Sequence, residues 1–308
     1  MNPVSVFPGE IRLGIIGCDT SHVLVFSDTF NNPASKQGLP GAKVVAAWPG
    51  GSPDIASSID RVPGYVAELR DVFGVRILDS IEAVVAASDA ILLTSLDGRT
   101  HRPQFERIAP FGKPVFIDKP FAVSSADARA LFEASGKHGA RMFSSSSLRF
   151  TEALTRVVTP ANRATVVGAD FSGPAVHERT NPGLFWYGIH AVEMLYTAMG
   201  PGCRSVRCVS SGAHDLVTGT WTDGRIGTVR GNRTGNNDFY GLVHFAKNTA
   251  AVNVQDQSKG FFTSLAEAII PFLKGGPLPV EPAETIELIR FIEAAIESSA
   301  TGGREVSI

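Results

Sequence analysis

Apolar residues fall into two regimes along this chain. Over residues 11–147, short apolar runs alternate with stretches of helical period. Ile11-Arg-Leu-Gly-Ile-Ile16, Lys43–Ala47, Val75–Leu78, Ala90-Ile-Leu-Leu-Thr94, Val115–Ile117 and Arg141–Phe143 read as strands. Between them, 23–30, 60–73, 80–87, the stretch around Pro103 and 124–138 read as helices. Ser80 and Ser124 are placed as N-caps, and Pro103 in a first turn. Such alternation predicts an α/β domain with a doubly wound parallel sheet. After Arg149 the pattern changes. Residues 164–172, 204–210, 216–222, 226–230, 239–245 and 250–254 read as strands with few helices between, and Asp223-Gly224 is a hairpin turn signal. This predicts an α+β domain built on a large, mostly antiparallel sheet. Helices at about 264–274 and 283–299 close the chain, the second with Ile286, Ile289, Ile292 and Ile296 as a core stripe. The predicted division is 1–148 and 149–308.

Composition narrows the class. A length of 308 residues suffices for two domains with separate cores. Hydrophobic residues are 44% and charged residues 19%, ordinary for a globular chain. A net charge of −2 gives no sign of a nucleic-acid or membrane partner. No apolar run reaches the roughly 20 residues of a membrane-spanning helix. Met1–Gly9 lacks the basic start and apolar core of a leader peptide. Cys18, Cys203 and Cys208 are odd in number and without metal-ligand spacing, so a reducing, cytoplasmic setting and no metal site are expected.

Candidate chemistry collects where strands end, since ligands of open α/β sheets bind at the carboxyl edge. Asp118 and Lys119 follow the strand at 115–117, and Pro120 biases Lys119 toward an extended conformation. Lys119 is a candidate for chemistry there; the alternative is a surface Asp-Lys pair. The first strand leads into Gly17-Cys-Asp-Thr-Ser-His22, where a G-x-G-x-x-G fingerprint would stand. Only Gly17 is kept. Asp19 takes the second glycine's place and repels a pyrophosphate unless turned away. His22 takes the third. Thr20, Ser21 and His22 can donate to an anion at the helix start. The second strand ends in Trp48-Pro-Gly-Gly-Ser-Pro-Asp54 with no acid at the strand end, so no strong preference for NAD over NADP is expected; Ser52 offers a 2′-phosphate one donor. Ser95 and His101 follow the fourth strand, His101 either lining a groove or beginning a helix. Further on, His190 and Glu193 share a helix face, so Glu193 can hold His190 in one tautomer as an acid/base group requires; the alternative is a structural helix histidine.

Taken in order, Gly14-Ile-Ile-Gly17, Gly112-Lys-Pro-Val-Phe-Ile-Asp-Lys-Pro120, Gly188-Ile-His190-Ala-Val-Glu193 and Glu297-Ser-Ser-Ala-Thr-Gly-Gly-Arg304 resemble the glucose–fructose oxidoreductase and inositol dehydrogenase family, Gfo/Idh/MocA. The resemblance spans nearly the whole chain. It implies a Rossmann domain that binds NAD or NADP and a second domain that supplies substrate residues and an oligomerising sheet. It further implies hydride transfer to or from a sugar, cyclitol or related polyol, with Lys119 and His190 beside the nicotinamide and the reacting carbinol. Arg149 falls where the family often has an arginine after the sixth strand. Asp118 replaces the family's usual Glu. Trp186 stands where the family often has an Asp, as an apolar platform for the sugar ring; Tyr187 or Glu193 is the substitute for the lost carboxylate. Two other outcomes stay open: transient oxidation serving a lyase, epimerase or glycosidase reaction, or a ligand-binding protein without activity. A homodimer or homotetramer is expected, because the second sheet has too few helices to cover both faces.

Overall fold

In a computed structural model, residues 9–308 are described; Met1–Pro8, most of the segment read above as lacking a leader, lie outside them. The chain forms two compact units. The first comprises residues up to Ala122, Ala126–Ser145 and Lys259–Glu281; the second comprises Val123–Ser125, Ser146–Ser258 and Pro282–Ile308.

The first unit alternates strands and helices as the periodicity predicts: β1 (Ile11–Ile16), α1 (His22–Asn31), β2 (Ala42–Trp48), α2 (Ala56–Ile59), α3 (Val62–Asp71), β3 (Arg76–Ile77), α4 (Ile81–Ala87), β4 (Ala90–Leu93), α5 (Gly98–Ile108), β5 (Val115–Ile117), α6 (Ser125–His138) and β6 (Met142–Ser144). The six strands pair in the order β3-β2-β1-β4-β5-β6, all parallel. This is the doubly wound dinucleotide-binding order, with its switch point between β1 and β4. β4 and β5 are buried throughout because helices cover both faces. Ser80 caps α4 as expected, its Oγ accepting from Ala83 N at 3.1 Å. Pro103 is not in a first turn: Asp97 caps α5, accepting from Arg99 N at 3.0 Å, and Pro103 lies inside the helix.

The second unit holds α7 (Glu152–Val157), β7 (Val166–Pro174), α8 (Ile189–Met199), β8 (Cys203–Ser210), β9 (His214–Trp221), β10 (Ile226–Asn232), β11 (Tyr240–Phe245) and β12 (Thr249–Asn253). The chain then returns to the first unit for α9 (Phe261–Leu273) and ends in the second with α10 (Pro282–Ala300) and β13 (Val306–Ser307). The sheet order is β12-β11-β7-β10-β9-β8-β13, antiparallel except between β7 and β10. Helices α8 and α10 pack on one face of this sheet. In α10, Ile289 and Ile292 are fully buried, whereas Ile286 and Ile296 are only half-buried.

Helix α9 departs from expectation, since its sequence position assigned it to the second domain. Its rings decide the matter: Phe262 meets Phe26 edge-on with centroids 5.9 Å apart, and Phe272 meets Phe143 at 4.9 Å. Burying those faces against the parallel sheet outweighs proximity in sequence. Among the described residues, no helix is long and apolar enough to cross a membrane. The three cysteines are buried and unpaired, and burial pushes the Cys203 thiol up to about 12 and that of Cys208 to about 11.

Candidate active site

The carboxyl edge of the parallel sheet brings together the turn after β1 and the loops after β2, β4 and β5. Gly17 has φ of +89°, and a Cβ there would lie 2.6 Å from the backbone of Ser95, so only glycine lets the first turn approach β4's end. Asp19 is turned away from the helix start. Its Oδ1 accepts from Leu96 N at 3.0 Å and its Oδ2 from Ser58 Oγ at 2.6 Å. Burial pushes its carboxyl pKa up, against those hydrogen bonds. Asp19 therefore braces loops from inside the protein. Thr20 is buried and Ser21 exposed, and their N–H groups have no acceptor among the described residues. Two open donors at the start of α1 are what an anion needs.

His22 begins α1, and its Nδ1 is paired with the Asp118 carboxylate. The ring packs against Phe262 at 4.4 Å. Asp118 also accepts from Lys119 N at 2.8 Å. Burial alone would raise the Asp118 pKa; the charges and hydrogen bonds of His22 and Lys119 outweigh it and hold the carboxyl below its ordinary value. Lys119 is itself buried, which pulls its pKa down against the attraction of Asp118. A buried lysine of lowered pKa at this edge is suited to proton transfer.

Three candidates are occupied differently from expectation. Ser52 is buried and its Oγ donates to Asp97 at 2.8 Å, so its hydroxyl is not offered to a 2′-phosphate. Ser95 Oγ donates to Gln104 Oε1 at 2.8 Å. His101 is fully buried inside α5, with its ring nitrogens on the carbonyls of Ser95 at 2.7 Å and Phe121 at 3.2 Å. It joins the loops after β4 and β5 and does not line a groove. The sequence reading missed Ser58, Asp54, Asp97 and Arg99. The N-cap pattern Asp97-Gly-Arg was the available signal for Asp97; nothing local announces its partners.

In the second unit, the stretch after β6 supplies Ser146 and Arg149, and α8 supplies His190 and Glu193. His190 Nδ1 lies 2.6 Å from Ser146 Oγ, which also accepts from Leu148 N at 3.1 Å. A hydroxyl both donates and accepts, so Ser146 can serve either tautomer of the ring. Tyr187 and Phe239 flank the imidazole, with centroids 5.2 and 5.7 Å away. Trp186 is half-buried. Glu193 was expected to orient His190 but is committed elsewhere, accepting from Arg149 Nε at 2.5 Å. Arg149 Nη1 reaches Glu284 at 2.8 Å, and Arg163 meets the same carboxylate at 3.0 Å. Burial of Arg149 opposes its charge, but Glu193 and Glu284 prevail and raise its pKa. Arg149, expected at the substrate, instead holds α8 to α10. Among the described residues, no group of His, Cys, Asp or Glu is arranged to hold a metal ion.

Comparison with known proteins agrees with this architecture. Residues 11–146 match the model of an oxidoreductase family with an NAD-binding Rossmann fold, Gfo/Idh/MocA. An inositol 2-dehydrogenase of Cereibacter sphaeroides is 44% identical over 69 residues, 22% of this chain and 20% of its own length. One from Burkholderia ambifaria is 32% identical over 133 residues, 43% of this chain and 35% of its own length. The chain thus matches about a third or less of the length of these relatives. Among solved structures, a myo-inositol dehydrogenase from Corynebacterium glutamicum superposes with a TM-score of 0.76 at 16% identity, covering 97% of this chain and 99% of the other. The WlbA dehydrogenase from Bordetella pertussis, in complex with NADH and UDP-GlcNAcA, gives 0.77 at 16% identity over 99% of both chains. At such identities these structures speak for the fold. Over residues 11–146, less than half of its length, the chain is similar to the Gfo/Idh/MocA oxidoreductase family.

Proposed function

We propose that the protein is an NAD(P)-dependent oxidoreductase acting on a sugar, cyclitol or related polyol. The observation that carries this reading is Lys119, a buried lysine at the carboxyl edge of β5, on the same sheet edge as the Gly17 turn and the open Thr20 and Ser21 N–H groups. These residues fit a dinucleotide: two free donors at a helix start suit its diphosphate, and Lys119 suits the reacting end. The inositol dehydrogenase relatives point to the polyol class.

The nicotinamide, when bound, takes up or gives the hydride. This chain's residues handle the proton. The Lys119 ammonium favours developing negative charge on a hydroxyl oxygen, and its lowered pKa eases exchange of its own proton. His190, held at Nδ1 by Ser146, is the acid/base group of the second unit. Trp186 and Tyr187 lie just before it in the chain and offer apolar surface to a sugar ring.

Fluorescence titration with NADH and NADPH, followed by formation of NADH from NAD or NADPH from NADP in the presence of a panel of polyols, tests the reading. Lys119→Ala and His190→Ala are each expected to depress turnover by about 10²–10⁴-fold with folding intact. Failure to bind any nicotinamide dinucleotide overturns the reading. Substrate conversion without net NADH points to transient oxidation instead.

A further inference from the structure

We propose that His22 is a positioning residue for Lys119: by engaging the carboxylate of Asp118, it limits how firmly that acid holds the lysine's proton. The inference rests on the reading above, in which Lys119 is the group beside the reacting hydroxyl. It gives a chemical task to the residue that fills the third glycine's place at the start of α1.

A third glycine in this turn lets the helix approach the strand closely. A histidine reaches outward instead, and its partner is 96 positions away. The contact is built from both sides. On the strand side, Asp118 N donates to Leu93 O at 2.8 Å, which ties the residue after β5 to the end of β4. Asp118 Oδ1 accepts from Lys119 N at 2.8 Å, and its second oxygen, Oδ2, meets the imidazole. On the helix side, the ring lies against Phe262 with centroids 4.4 Å apart. A carboxylate held ionised only accepts, so the Nδ1 that meets it carries the hydrogen. The ring's other nitrogen, Nε2, is then the one that gains or loses a proton, and the side chain is 15% exposed.

Two influences oppose each other at Lys119. Burial favours its neutral form and the charge of Asp118 favours the ammonium, with burial the stronger. One carboxylate thus serves both the lysine and the histidine. A donor that engages it disperses its charge and leaves less for the other group. The hydrogen bond from His22 therefore weakens the hold of Asp118 on the lysine's proton, and a charge on the ring weakens it further. Other titratable groups at this edge are engaged elsewhere. Asp19 accepts from Leu96 N and Ser58 Oγ, Cys18 donates to Trp48 O, and both ring nitrogens of His101 lie on carbonyls. From α9 the neighbour is the apolar ring of Phe262. A purely structural His22 would brace α1 against the end of β5 and leave the lysine's titration where it is.

The test follows Lys119 directly in the full chain, by carbon NMR of protein isotopically labelled at the lysine Cε. The Lys119 signal is assigned by its loss in Lys119→Met. His22→Phe keeps a ring against Phe262 and removes the donor. It is expected to raise the pH midpoint of Lys119 by about one pH unit, the low end of what an opposite charge at contact range commands. His22→Leu is a second donor-free variant with the same expectation, should His22→Phe fail to fold. His22→Asn keeps an N–H for Asp118 and is expected to stay close to the wild-type midpoint. Asp118→Asn is expected to lower the midpoint, and adding His22→Phe should change it no further, since the effect runs through the carboxylate. Turnover of any polyol in the panel should show the same upward move in its pH profile in His22→Phe. An unchanged midpoint in a donor-free variant with a native circular dichroism spectrum overturns the inference, and so does an equal shift in His22→Asn. NADH and NADPH are titrated into the same samples. Binding of neither overturns the functional reading, whereas a fixed midpoint with either one bound overturns this inference alone.

Discussion

The imidazole of His22 stands where a dinucleotide fingerprint carries its third glycine, and it meets the carboxylate of Asp118. The histidine and the aspartate are thus partners across the carboxyl edge of the sheet. Asp118 is buried and held ionised by His22 and Lys119. Its native pKa lies below its unfolded value, so its contribution to stability is fully present above about pH 4 and is lost as pH falls through the native value. Restoring the glycine with His22→Gly is expected to cost about 1–3 kcal/mol, because a buried carboxylate loses a hydrogen-bond partner. Thermal melts between pH 3 and about pH 7 check this: the variant should melt lower at neutral pH and converge on the wild type in acid. A variant as stable as the wild type at neutral pH would show that the pair carries no load. The positions of Asp118, Lys119 and His22 were legible in sequence, because strand ends and helix starts are local features. Their partners were not. Helix spacing offered Glu193 to His190, yet the loop after β6 delivers Ser146, a residue 44 positions away.

Among the elements, the Arg149 network decides how the second unit holds together. Arg149 lies in the 3₁₀ turn Ser147–Phe150, Glu193 on α8 and Glu284 on α10, so one guanidinium ties three elements that hydrophobic pattern alone would leave free to slide. Arg149→Met removes the cation that the buried Glu193 and Glu284 share, while Arg163 stays on Glu284. The expected loss is about 3–5 kcal/mol, read as a lower urea midpoint with unchanged slope. Were Arg149 a substrate residue instead, the variant would keep its midpoint and lose affinity for substrate. Periodicity found the long helices and nearly every strand, because amphipathic order is written locally. It could not say which core α9 joins, since Phe262 and Phe272 make an apolar face that fits either sheet; only their partners Phe26 and Phe143 decide. The two-residue β13 is too short to leave a pattern, and it is held by pairing with β8.

For the molecule as a whole, the uncovered face of the second sheet is the unsolved surface. Helices α8 and α10 pack on one side. The other side presents Leu216, Tyr240 and Leu242, each more than two-fifths exposed, around a depression of about 460 Å³ that Asp170, Thr228 and Arg230 also line. Apolar side chains on β9 and β11, with Asp170 of β7 and Arg230 of β10 between them, make a self-complementary mix of apolar and oppositely charged groups that suits a second copy of the same surface. Light scattering at micromolar concentration is expected to give a dimer or tetramer. Leu242→Asp adds a charge to the middle of the patch, and it should shift the population to monomer while the circular dichroism spectrum stays native. A wild-type monomer would remove the claim. An oligomer that survives Leu242→Asp would place the interface on some other surface.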